Sequence, residues 1–278
     1  MSRPHCGAGT AGSGVEFPVA RSMLLLWASV AVLSGAFEGA NLFRTTTASL
    51  DGIFPPAMNN PARLPDQPLW ASLGQGRPMG FAWAAYNAVS LGGRYGPWRS
   101  AAGIWTSGDE LYSETSFTAA VARQVGHRLT AGLSLSYNEV SIKGFDAGAG
   151  EYVAGLAIVA PLSESIEFSV WYGGQPLKRS QAYQSLTRQL VQMGLSARRR
   201  GGFSGTLAVE KTPGFPLSLL AEVNLTARSD MDLELGYRTG PGLPYAGARL
   251  TLRRLVLSVR MNYHPLFGFS SAFGFAFR

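Results

Sequence analysis

Cysteine is almost missing from this chain. Cys6 is the only one, so no disulfide can form within one molecule, and the count does not report a redox compartment. Charge is scarce too: Asp, Glu, Lys and Arg make up 15% of the 278 residues, against roughly 25% in ordinary soluble domains. After residue 40 no stretch approaches the ~20 consecutive apolar residues of a transmembrane helix. Any membrane contact beyond that point must therefore be made by strands. Histidine is limited to His5, His127 and His264, far apart in the chain. No metal-ligand spacing, GxSxG elbow or phosphate loop occurs, so no cofactor is implied. The formal net charge is +7, but the basic residues are scattered. Their one run, Arg198-Arg199-Arg200, sits between two strand patterns, so nucleic acid is not an expected partner.

What the chain does have is apolar and glycine-rich: 46% hydrophobic residues, 34 glycines and 11% aromatics. Residues 1–36 read as a cleaved secretory signal. Arg21 precedes the apolar core "SMLLLWASVAVLSGA", and Ser34-Gly35-Ala36 offers small residues before a cut after Ala36. Residues 37–67 lack periodicity. Their Pro- and Asn-rich stretch "FPPAMNNPARLPDQP" suits neither a helix nor a central strand.

From residue 68 onward the pattern is alternation with regular turn signals, the signature of strands with two unlike faces. In "LTAGLSLSY" Leu129, Leu133, Leu135 and Tyr137 oppose Thr130, Ser134 and Ser136. In "PLSLLAEVNLT" Leu217, Leu219, Ala221, Val223 and Leu225 oppose Ser218, Glu222, Asn224 and Thr226, with Leu220 the exception. Alternation alone fits a soluble sandwich as well as a membrane barrel. Three features favour the barrel. Turns alternate between short ("VGH", "PLSE", "ARSD", "LRR") and long ("KGFDAGAG", "KTPGFP", "HPLFGF"). Tyr137, Tyr172, Tyr237, Tyr245 and Tyr263 fall near the long-loop ends, as an interfacial girdle requires. The polar face carries both signs of charge, Glu167, Glu210, Glu222, Asp232 and Glu234 with Arg238 and Arg260. Inside a barrel these can pair across strands. In hydrocarbon each would cost a few kcal/mol.

Thirteen strand patterns follow Pro78, the first over 79–91, and "PLWASLG" before it supplies an upward first strand. The expectation is an all-β transmembrane antiparallel barrel of fourteen strands over 68–278, in the bacterial outer membrane, with 37–67 as a lumen plug. The last strand, "SSAFGFAFR", should turn Phe273, Phe275 and Phe277 to lipid and Gly274 and Ala276 to the lumen.

The segments "NNPARLP", "GDELYSET", "SYNEVSIKGF", "LAVEKTPGFPLSLLAEV" and "HPLFGFSSAFGFAF", in that order, resemble the PorV/PorQ type of outer-membrane protein, a branch of the FadL-like barrels. The resemblance implies a plugged fourteen-stranded barrel. It also implies a role either as an accessory of the type IX secretion machinery or as a passage for hydrophobic small molecules. The secretion-accessory role is the first expectation, transport the alternative. The expected partners are outer-membrane lipid, the barrel-assembly machinery during insertion, and either secretion-machine components or a hydrophobic ligand. Asn59, Asn60, Pro61 and Ala62 are read either as a gate or as a tight turn that fills the lumen. The charged inward residues are read as a stiffening lattice or as a permeation path. No enzymatic activity is expected. The sharpest catalytic alternative is a rim hydrolase built on His264 with Asp109 or Glu110.

Overall fold

Alternation over this length leaves the chain one way to satisfy its backbone in lipid, closure of the sheet on itself. The computed structural model describes residues 59–81, 84–126, 128–144, 149–179, 189–199, 202–240 and 242–278. The expected signal peptide and the first part of the expected plug lie outside these. The strands are β1 (Trp70–Arg77), β2 (Tyr86–Tyr95), β3 (Trp98–Gly108), β4 (Tyr112–Val125), β5 (Leu129–Ile142), β6 (Ala149–Pro161), β7 (Ile166–Arg179), β8 (Leu190–Arg199), β9 (Phe203–Lys211), β10 (Ser218–Arg228), β11 (Met231–Arg238), β12 (Leu243–Leu252), β13 (Leu255–His264) and β14 (Gly268–Phe277). Each pairs antiparallel with its neighbours in sequence, and β14 closes on β1.

Most strand bounds fall close to their sequence patterns. Two differ: the strand read over 165–172 runs on to Arg179, and the one read over 79–91 starts late. Pro78 has no N–H for a ladder, and Pro78–Gly80 instead forms a single 3₁₀ turn with Met79 in the left-handed region. That turn is tied to β14 by a hydrogen bond from the Met79 N–H to the Ser270 hydroxyl at 2.6 Å. The second strand then starts only at Tyr86.

By strand parity the connections after β2, β4, β6, β8, β10 and β12 share one rim with the start of β1 and the end of β14, and those after the odd-numbered strands share the other. The first set spans 2–4 residues each, and the second 3–10, with its longest after β1 and β7. Short turns mark the periplasmic end of such barrels.

Cross-strand register makes the exterior explicit. One outward-facing row runs Met231, Leu250, Leu257, Phe275, Leu73, Val89, Ile104, Phe117, Tyr137, Tyr152, across ten neighbouring strands. It contains no polar residue, so the wall presents a continuous apolar band to its surroundings. Phe273, Phe275 and Phe277 face outward and Gly274 and Ala276 inward, as the alternation predicts. Charge on this face meets hydrocarbon. Replacing Phe273 by Arg should therefore destabilise the folded barrel by about 2–4 kcal/mol if the site sits at mid-depth. Phe269→Arg, nearer the long-loop rim on the same face, should cost about 0–1 kcal/mol. Urea unfolding from lipid vesicles measures both, and equal costs would mean that the band does not lie across the bilayer as described.

The interior is filled by large side chains laid on glycines across the ladder. A Cβ on Gly236 would lie 2.1 Å from the Tyr245 ring, and one on Gly76 would lie 2.3 Å from Tyr86. This corrects the girdle expectation for Tyr245. It sits at an inward position of β12 and its ring covers Gly236 in the lumen, whereas Tyr137, Tyr172, Tyr237 and Tyr263 point outward. Leu220, the exception in its strand pattern, faces the lumen and is buried there.

Candidate functional site in the lumen

Asn59, Asn60, Pro61 and Ala62 are buried inside the wall. The local conformation follows from the residue types. Asn60 is extended and its side-chain oxygen accepts the Ala62 N–H at 3.0 Å. Pro61 supplies a pre-set φ at the first helical position, and the Arg63 N–H closes the turn on the Asn60 carbonyl at 2.9 Å. The resulting 3₁₀ helix, Pro61–Arg63, packs against β4, β5 and β6. The wall admits it because residue 132 is glycine: a Cβ there would stand 2.4 Å from the Ala62 nitrogen and 2.5 Å from the Pro61 carbonyl carbon.

Apolar burial holds both sides of this turn. Ala62 packs with Ala157, Val159, Trp171 and Leu190, and Leu64 with Trp70, Ala101, Ala120 and Ala122. Ion pairs hold its flanks. Arg63 pairs with Glu167 at the start of β7. Asp66 bridges Arg94 at 3.3 Å and Arg99 at 3.0 Å. The ion-pair partners Glu167, Arg94 and Arg99 lie in the half of the barrel near the short turns, so the segment lies against the inner wall there. Between it and the wall lies a cavity of about 370 Å³ lined by Ala62, Arg63, Arg99, Gln124, Arg128 and Glu167. This cavity is polar.

Above the plug, the inward charges are brought together on β9 to β13. Arg238 lies 3.2 Å from Glu210, and Arg260 lies 2.8 Å from Glu234. Glu222 accepts the Tyr245 hydroxyl at 3.0 Å and the Asn224 amide at 2.9 Å. The Arg260 guanidinium lies over the Tyr245 ring, 3.8 Å from its centre, which gives the buried cation an aromatic face as well as a carboxylate. Asp232 is held by Arg249, whose Nε donates at 3.0 Å. Glu167 stands apart from this group, on β7, where it pairs with Arg63. Sequence reasoning missed Arg249 and Arg63, and on the opposite wall the buried inward carboxylates Glu114 and Glu151. Arg249 sits among Ala246, Gly247 and Ala248, where small residues blur the alternation, although parity with Tyr245 places it inward. Arg63 belonged to a segment with no period to read. Hydrogen-bonded polar pairs line the opposite wall: the Ser116 hydroxyl donates to the Asn138 amide oxygen at 2.6 Å, and the Thr118 and Ser136 hydroxyls lie 2.7 Å apart.

Two residues of the hydrolase alternative, His264 and Asp109, are each engaged within their own loop. His264 is buried at the end of β13, its Nδ1 accepts the N–H groups of Leu266 and Phe267, and its ring packs on Phe267. Asp109 caps the β3–β4 loop by accepting from the Leu111 and Tyr112 N–H groups, which hold its carboxyl below the usual range. Glu110 points to solvent, 4.0 Å from Lys143. His127 lies outside the described residues.

The long-loop rim carries a different surface. Leu111, Phe215, Leu217, Leu266 and Phe267 are exposed there, Leu266 at 84%. A polar, packed interior, an apolar exterior and fourteen closed strands together define a transmembrane β-barrel of the bacterial outer-membrane type. Among solved structures, the chain is similar to the Ralstonia pickettii toluene transporter TbuX, at 10% identity over 80% of this chain and 93% of that one, with a TM-score of 0.63. It is similar to the P. putida toluene transporter TodX at 10% identity over 80% and 93%, TM-score 0.57. It is also similar to the Acinetobacter baumannii outer membrane protein Omp33 at 7% identity over 77% and 98%, TM-score 0.50. At these identities the likeness is one of fold. No family model matches the sequence, and no curated protein matches it.

Proposed function

We propose that the chain is a non-catalytic channel for hydrophobic small molecules, of the FadL-like kind, with Asn59–Gln67 forming part of its plug. The carrying observation is the apolar rim of exposed Leu111, Phe215, Leu266 and Phe267 at the long-loop end of a barrel whose wall is lined inside by the packed turn Pro61–Arg63. Exposed apolar side chains at an aqueous mouth gather apolar solutes from water, because each Å² removed from water is worth about 25 cal/mol. The fold likeness to two toluene transporters supports the same reading.

The secretion-accessory role of the PorV/PorQ type rests on the same rim, since a protein partner would cover it equally well. Passage and docking separate in one experiment. Proteoliposomes containing the full chain should take up toluene faster than protein-free vesicles. Leu266→Glu combined with Phe267→Glu should lower that uptake by about tenfold while leaving the folded barrel intact in gels. Uptake no faster than through bare lipid, together with type IX components retained by the native barrel from outer membranes, would overturn transport in favour of docking.

A further inference from the structure

The outer wall near the short-turn rim carries a group that neither the plug nor the lumen uses. Tyr95 ends β2, Trp98 begins β3, and the two face each other in register, with Arg123 of β4 directly opposite Trp98 on the other side. All three point outward. Tyr95 is 88% exposed and Trp98 44%. The Arg123 guanidinium lies over the indole, 4.9 Å from its centre. The next residue in the same row is Ala131 of β5, and the outward neighbours along β4 are Val121 and Val125.

Among the described residues, Arg123 forms no ion pair with a carboxylate. An arginine is always charged, and its planar fork suits two oxygens of one anion. Here one face of that fork is covered by an aromatic ring and its surroundings are apolar. The position lies at the edge of the apolar band, where the rings of Trp and Tyr sit among lipid headgroups. Exposed Arg253 and Arg254, in the next turn of this rim beyond β1 and β14, add positive charge to it.

We propose that Tyr95, Trp98 and Arg123 form a binding site for an anionic glycerophospholipid of the periplasmic leaflet. Arg123 holds the phosphate in its fork, and the indole and phenol pack on the glycerol and the first acyl carbons. Ala131 leaves the space beside the guanidinium that the headgroup occupies. A lipid is the occupant rather than free phosphate, because only a lipid also covers the exposed indole and phenol. This assignment is independent of what passes through the lumen.

The test is lipid retention by the purified full-length barrel, read by native mass spectrometry after exchange in mixed micelles. The probes are phosphatidylglycerol, phosphatidylcholine and inorganic phosphate. Wild type should retain phosphatidylglycerol over phosphatidylcholine. Arg123→Gln should weaken retention about fivefold, the usual worth of one interfacial arginine. Trp98→Leu should weaken it about threefold, while Trp98→Phe, which keeps a ring, stays near wild type. Heat-modifiable migration checks that each variant is folded. Equal retention of the two lipids would overturn the assignment. So would unchanged retention in folded Arg123→Gln, or displacement of the lipid by millimolar inorganic phosphate, which would make the site one for free anions.

Discussion

Replacing Gly132 by valine should drive the plug off the wall while leaving the barrel standing. The new Cβ would meet backbone atoms of Pro61 and Ala62 at 2.4–2.5 Å, and backbone cannot swing aside as a flexible side chain can. Accommodating it in place costs about 1–3 kcal/mol, as overpacking generally does. The segment has an escape, because it is tied to the ladder at its far end and held elsewhere by side chains. Leu64 and Ala62 would lose their buried neighbours, and the Arg63–Glu167 pair would part. Two readouts follow. Trypsin should cut after Arg63 at least tenfold faster in the variant, and single-channel conductance in planar bilayers should rise. Gly205→Ala is the control, since the nearest atom to its Cβ, the Glu222 carbonyl oxygen, lies 3.8 Å away. Unchanged cleavage and conductance in a folded Gly132→Val barrel would show that this segment does not stop the pore.

The barrel was legible in the sequence because its governing period is two. A residue in a closed sheet has only two environments, so alternation assigns Phe273 to lipid and Glu234 to the lumen with no knowledge of the neighbouring strand. Strand number followed from parity, since both chain ends must meet the short-turn rim. Where the pattern misled, something other than alternation decided. The strand expected at 79–91 starts only at Tyr86, because Met79 and Gly80 take positive φ in a turn that extended backbone cannot continue. Tyr245 read as a girdle residue because of its place near a strand end. It turns inward with Leu243 by parity, and its register partner, the glycine at 236, leaves the room that its ring fills.

The lumen was harder to read than the wall. Pairings such as Arg238 with Glu210 join strands β11 and β9, which are not adjacent, and they depend on the barrel's curvature rather than on ladder register. The plug was harder still. Its buried contacts run from Ala62 to Leu190 and from Leu64 to Trp70, Ala101 and Ala122, and no local period announces them. The Asn60-Pro61 pair does carry a local signal, a side-chain cap followed by a residue with a pre-set φ. That signal predicts the turn but not the wall against which it lies.

The charged lumen yields the largest expected loss of stability. Arg260 and Glu234 are both almost fully enclosed, their side chains 2% and 1% exposed. Arg260→Met would leave the Glu234 carboxylate buried near Glu222 with its cation gone, and breaking such a pair costs about 3–5 kcal/mol. The double variant, Arg260→Met with Glu234→Met, removes both charges and should recover most or all of that loss, because well-packed apolar side chains often match a buried ion pair. Arg249 and Asp232 provide the contrast. Their side chains are 30% and 22% exposed, so Arg249→Met should cost no more than about 1 kcal/mol. Urea midpoints of the reconstituted barrels measure all four proteins, the wild type included. Equal losses from Arg260→Met and Arg249→Met would mean that water reaches the Arg260 pair, and the lumen would then be a wet path rather than a packed one. Conductance of the double variant carries the argument to function. A conductance equal to wild type, beside an increase in Gly132→Val, would place the stopper at the plug and leave the ion pairs the task of holding the wall to its shape.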